Sequence, residues 1–221
     1  MVDTGRVVLR FAKANLPAND VGQGREPRDE IKLLARAARS GDVRAARTLL
    51  NALGPTMLRV IRKVVGESQA DANDVLQDAM FGLMKGLAGF REECSVTHFA
   101  CRISVMTALA ARRHLRRRAG DEAAVPFSDL GGVQTSAPDP AAEAEAAARR
   151  AVLWRLLDEL PPAQAEALAL RCIEGFSIDE IAAAGGCPVE TVKSRLRMAK
   201  ATLRNRIAAD LSARDLFARE P

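Results

Sequence analysis

The stretch FSIDEIAAAGGCPVETVKSRLRMAKATLR, residues 176–204, sets Glu190, Thr191, Lys193, Ser194, Arg195, Arg197 and Lys200 opposite Val189, Val192, Leu196, Ala199 and Leu203, a series that Ile207 continues just beyond it. Short hydroxyls mixed with long cations are the side chains that reach base edges and phosphates in a major groove. The apolar set recurs at intervals of three and four, so the spacing predicts a helix whose polar side turns away from the core. Just upstream, Ser177 and Glu180 have the spacing of a capping box, Gly185-Gly186 stop the helix it opens, and Pro188 stands at the first position of the next. Two helices about such a turn predict a helix-turn-helix, whose second helix enters the groove by its N-terminal part. An ordinary amphipathic helix with a solvated cationic side fits the periodicity equally well.

A second concentration of charge is RRHLRRR, where Arg112, Arg113, Arg116, Arg117 and Arg118 crowd together. Charge at that density repels itself unless phosphates lie close, which favours a nucleic-acid backbone. Complementing the dipole of a helix C-terminus accounts for one or two of these arginines. Cys94, His98 and Cys101 spell CxxxHxxC, read as one face of a helix. Three soft ligands without a fourth make a weak zinc site, and periodic burial explains them as well. No metal and no cofactor is expected. With two histidines, no glycine-rich phosphate loop and no nucleophile beside a base, the chain carries no catalytic constellation and is not expected to be an enzyme.

The elements that must hold these groups are helices. The chain has 221 residues, 48% hydrophobic and 28% charged, enough for one large or two small cores. Its 33 Lys and Arg against 28 Asp and Glu are unevenly placed and point to a polyanionic partner. No apolar run approaches the ~18 residues of a membrane span, and a signal peptide is not expected, so the protein is placed in the cytoplasm without membrane insertion. Four dispersed cysteines are expected as thiols. Residues 1–27, with a short VVLRF run, read as a flexible extension. Five amphipathic segments follow over 28–118, with breaks at Gly41 and at Gly54-Pro55, and describe a helical bundle. Residues 119–140 are rich in Gly, Pro, Ser and Asp and read as a flexible linker. That linker has a relaxed span of about 25 Å and a limit of about 75 Å. Helicity resumes over 141–211, and 212–221 form a tail. The fold class is all-α, two small helical domains joined by a linker.

At this point the motifs resemble a family. LPPAQAEALALRCIEGFSIDEIAAAGGCPVETVKSRLRMAKATLR, residues 160–204, resembles region 4 of the sigma-70 family of bacterial RNA polymerase sigma factors, in the extracytoplasmic-function (ECF) group. DANDVLQDAMFGLMKGLAGF resembles region 2.2, and SVTHFACRISVMTALAARRHLRRR resembles regions 2.3 and 2.4. The resemblance implies a promoter-specificity subunit that binds core RNA polymerase and promoter DNA, serves a stress- or signal-responsive regulon and is restrained by an anti-sigma factor. It implies that Asp74, Gln77, Asp78, Phe81 and Lys85, which lie off the apolar side of their helix, meet the polymerase clamp. Exposed Phe81 among acids suits a protein surface better than a nucleic acid, although a solvated acidic helix with one stray aromatic is the plain alternative. It implies downstream-element contacts from Phe99, Arg102, Arg112, Arg113, Arg116 and Arg117, with Phe99 standing where relatives commonly carry Trp and Met106 where they carry Asn. In the second domain it implies upstream-element contacts from Thr191, Lys193, Ser194, Arg195, Arg197 and Lys200. The other functional reading is a stand-alone helix-turn-helix regulator that binds DNA without polymerase.

Overall fold

The computed structural model describes residues 25–65, 69–119, 152 and 154–210. The VVLRF run, the expected linker after Ala119 and the tail after 211 lie outside the described residues. Every regular element among these residues is an α-helix, and none is long and apolar enough to cross a membrane.

Helix α1 (Arg25–Arg39) begins three residues earlier than the expected bundle boundary. Pro27 falls in its first turn, where a missing N–H has no intrahelical acceptor to leave wanting. Gly41 closes the helix at φ 97°, a conformation that glycine adopts without strain. Asp42 then opens α2 (Val43–Val65), its Oδ1 accepting from the N–H of Arg44 at 2.8 Å and of Ala45 at 3.1 Å.

The expected break at Gly54-Pro55 is overturned, since α2 runs through both residues. Proline in a helix interior removes one hydrogen bond and crowds the carbonyl four residues back, at about 3 kcal/mol. Here Pro55 faces solvent and the orphaned carbonyl belongs to exposed Asn51, so water can take the missing donor's place. On the opposite side Leu49, Leu53, Met57, Val60, Ile61 and Val64 form one buried stripe that continuous helix alone keeps in register. Four helices therefore do the work expected of five segments. Helix α2 is their centre, packed against α1, α3 (Gln69–Leu87) and α4 (Val96–Ala119). Gly86 of α3 lets the Phe99 ring come close, because a Cβ there would stand 2.9 Å from its Cζ.

The second unit comprises a helical turn at 154–158, α5 (Pro162–Cys172), α6 (Ile178–Gly185) and α7 (Val189–Ala209). The expected capping box is present: Glu180 N–H donates to Ser177 Oγ at 3.1 Å and Ser177 N–H donates to Glu180 Oε2 at 2.7 Å. Gly186 ends α6 in the left-handed region at φ 58°. Pro188 acts as the cap of α7 rather than its first residue. Val192, Leu196, Ala199, Leu203 and Ile207 are buried, as their spacing predicts. The two units also touch, with α4 packed against α5 and α6 and one hydrophobic core running through both.

Candidate nucleic-acid interface

Helix α7 packs chiefly on α5 and α6, which leaves its polar side outward. Lys193 and Arg197 are exposed, and Thr191, Ser194, Arg195 and Lys200 are half-buried along the same helix. Lys193 Nζ donates to Glu190 Oε1 at 2.7 Å, and this carboxylate holds the lysine's pKa above its ordinary value. Arg195 Nη1 lies 3.8 Å from Cys187 Sγ, in the turn that precedes the helix. Glu180, whose carboxyl is held below its ordinary pKa mainly by the Ser177 N–H, fixes the helix that sets the angle of α7.

The cations of α4 occupy a different setting. Arg102 Nε donates to Glu166 Oε1 at 2.6 Å. Arg112 forks onto Asp158 at 3.2 and 3.1 Å, donates to the Val64 carbonyl at 3.4 Å and lies over the Trp154 ring, 4.9 Å from its centroid. Arg116 meets the Arg155 carbonyl at 3.2 Å and Glu159 at 3.7 Å. Arg113 Nε and Nη2 are buried without a hydrogen-bond partner among the described residues, and Arg117 is exposed. Phe99 tilts against Phe90 at 4.9 Å between ring centroids. Two of the crowded arginines, Arg112 and Arg116, thus find carboxylates within the chain, where the sequence reading looked to phosphates and the helix dipole.

On α3, Asp74, Gln77, Asp78, Phe81 and Lys85 are all exposed, while Val75, Ala79, Leu83 and Leu87 of the same helix are buried. The CxxxHxxC motif does not form one helical face. Cys94 precedes α4, whose first turn is capped by Ser95 Oγ accepting from the His98 N–H at 3.0 Å. The His98 ring instead packs against Phe176, at 4.4 Å between centroids. Cys101 is buried, and burial, with Glu174 adding to it, pushes its thiol up to about 12. Among the described residues no group of three or more His, Cys, Asp and Glu is placed to hold a metal ion.

The family description Sigma-70 region 2 matches residues 49–119, and Sigma-70, region 4 matches residues 150–203. The ECF RNA polymerase sigma factor SigM of Mycobacterium tuberculosis is 32% identical over 180 residues, covering 81% of this chain and 85% of that protein. The chain belongs to the ECF group of the sigma-70 family. A second relative of this sigma factor is the ECF RNA polymerase sigma-E factor of Escherichia coli (strain K12), 27% identical over 181 residues, 80% of this chain and 93% of that protein. CnrH, solved in complex with the cytosolic domain of CnrY, aligns at a TM-score of 0.47 with 25% identity, over 82% of this chain and 99% of that one.

Sequence reasoning missed the acidic residues that this sigma factor's second unit sets against the first: Asp158, Glu159 and Glu166 meet arginines of α4, and Glu174 meets Lys63 of α2. The loop before α4 is held by Glu92, at φ 60°, whose carboxylate takes Arg36 at 2.6 Å and Lys32 at 3.1 Å. Those partners, chiefly Arg36, hold its carboxyl down to about 2. With Arg36 and Glu92 56 positions apart, no local spacing signals the pair.

Proposed function

We propose that this sigma factor binds core RNA polymerase through the exposed side of α3, reads the downstream promoter element with α4 and the upstream element with α7, and leaves the chemistry to the polymerase. The observation that carries this reading is the two-sidedness of α7. Its apolar stripe is buried while Thr191, Lys193, Ser194, Arg195, Arg197 and Lys200 remain outside the core. Cations of that kind fix register on phosphates, and hydroxyls and arginines beside them read base edges. On α3, Phe81 among Asp74, Gln77, Asp78 and Lys85 has the composition of a protein-binding surface. On α4, Phe99, Arg102, Arg112, Arg113, Arg116 and Arg117 are the downstream set.

Membership of the group supports a non-enzymatic role in the cytoplasm, a signal-responsive regulon and restraint by an anti-sigma protein. The test is transcription in vitro with sigma-free core polymerase on a genomic DNA library. The intact protein directs starts at discrete sites. The Lys193→Ala/Arg195→Ala variant binds core as before and loses that choice of sites. Unchanged starts from the variant would remove α7 from the groove.

A further inference from the structure

We propose that Met198 is a specificity-determining residue of α7, its thioether end seated in the major groove against the 5-methyl group of a thymine in the upstream element. The proposal deepens the assignment of α7 to that element and rests on it.

Helix α7 buries Val192, Leu196, Ala199, Leu203 and Ile207, so its need for a core is met on one side. Met198 is nonetheless 52% exposed, and on α7 it is the one large apolar side chain left so. At about 3.6 residues per turn, Ser194 stands opposite the buried stripe, with Met198 about 40° to one side of it and Arg197 about 60° to the other. Ser194 Oγ lies 4.0 Å from Met198 Sδ, which sets the thioether back along the helix towards Ser194. Thr191, Ser194 and Met198 thus make one outward row, about 10 Å long, the rise of about three base pairs.

What covers this methionine follows from its surroundings. Its neighbours one turn away are Ser194, Arg195, Ala201 and Thr202, none of them large and apolar. A protein-docking surface gathers several apolar anchors, and a lone thioether among polar groups does not supply one. Around it α7 carries Lys193, Arg195, Arg197, Lys200, Arg204 and Arg206, against Glu190 as its single acid. That balance fits a polyanion. Among the base edges of a major groove, the thymine methyl is the apolar group on offer. Seated there, Met198 covers its free surface, and its unbranched chain adapts to the depth of the groove. Against cytosine the same thioether would strip water from an amino donor and offer only a weak acceptor in return.

The experiment uses holoenzyme reconstituted from the full chain and core polymerase. Its probe is a promoter duplex at which the wild-type factor starts transcription, with the upstream element randomised and the bound duplexes sequenced. Wild type is expected to enrich thymine at one position where Met198→Ala loses the preference, while the choices at neighbouring positions persist. Met198→Leu, still apolar, should keep it. Deoxyuridine, which lacks only the 5-methyl group, then replaces that thymine in a fluorescent duplex. Wild-type affinity should fall about fourfold, the worth of one buried methylene-sized group, and that of Met198→Ala should not change. Both variants should melt as wild type does, since the side chain is exposed.

A wild type that selects no thymine or binds the deoxyuridine duplex as tightly overturns the methyl contact, as does a Met198→Ala variant that selects the same thymine. A preference lost as fully in Met198→Leu as in Met198→Ala overturns its apolar character. The Lys193→Ala/Arg195→Ala variant separates this proposal from the reading beneath it. If that variant loses all upstream preference while Met198→Ala changes nothing, α7 stays in the groove and Met198 alone is removed from it. If it keeps every preference, α7 leaves the groove and the two readings fall together.

Discussion

Phe81 gives the sharpest test of polymerase docking, because truncating it should alter binding and spare the fold. The side chain is 60% exposed on α3. A phenylalanine has roughly 200 Å² to bury, so about 120 Å² of apolar surface remains available to a partner. At about 25 cal/mol per Å² that area is worth up to about 3 kcal/mol when a clamp surface covers it. Alanine keeps part of the contact, so Phe81→Ala should lose about 2 kcal/mol, or roughly thirtyfold in affinity for core polymerase. The assay is a titration of labelled full-length factor with core, read by fluorescence anisotropy. Thermal unfolding should be nearly unchanged, as for other exposed substitutions within about 0.5 kcal/mol. An affinity within threefold of wild type, in a variant that melts normally, refutes the placement of α3 on the polymerase.

Four further outcomes follow from the same structure. Ser177→Ala removes the cap of α6 and should cost about 1 kcal/mol, seen as a melting temperature lower by a few degrees; an unchanged melt would deny the capping box its role. Pro55→Ala restores a donor for the Asn51 carbonyl and should stabilise the bundle by roughly 1 kcal/mol or more, measured by urea denaturation, with a neutral result counting against a strained α2. The folded-state pKa of Glu92 is depressed from 4.5 to about 2, so its contribution is present above about pH 4.5 and is lost as pH falls towards 2. Glu92→Gln should therefore flatten the acid limb of the stability curve in that window, and parallel curves would contradict the clamp on the loop. At pH 8, Cys101 should resist a thiol reagent until the protein unfolds, since its pKa is about 12; prompt labelling of Cys101 by mass spectrometry would show the core to be open there.

Helix positions were legible wherever one local signal sufficed. The capping box, the glycine stop at Gly186 and the stripe from Val192 to Ile207 are all written within a few residues of the elements they shape. Pro55 misled for a definite reason: a Gly-Pro pair breaks an isolated helix, but the buried stripe from Leu49 to Val64 outweighs it once α1, α3 and α4 pack around. The CxxxHxxC spacing failed similarly, because the cap at Ser95 starts α4 after Cys94 and removes the first ligand from the helix.

What could not be read was which charges face each other across the two units. Local crowding of Arg112, Arg113 and Arg116 is visible in the sequence, and it points to phosphates close by. In this structure Arg112 and Arg116 meet Asp158 and Glu159, 46 and 43 residues further along, and that approach depends on how α4 meets the second unit rather than on any period in the sequence. The same guanidinium groups fit a carboxylate or a phosphate with equal geometry. A local reading of the arginines therefore could not choose between the two, and the residues that decide it lie on α5 and in the turn before it, at Glu166 and Asp158.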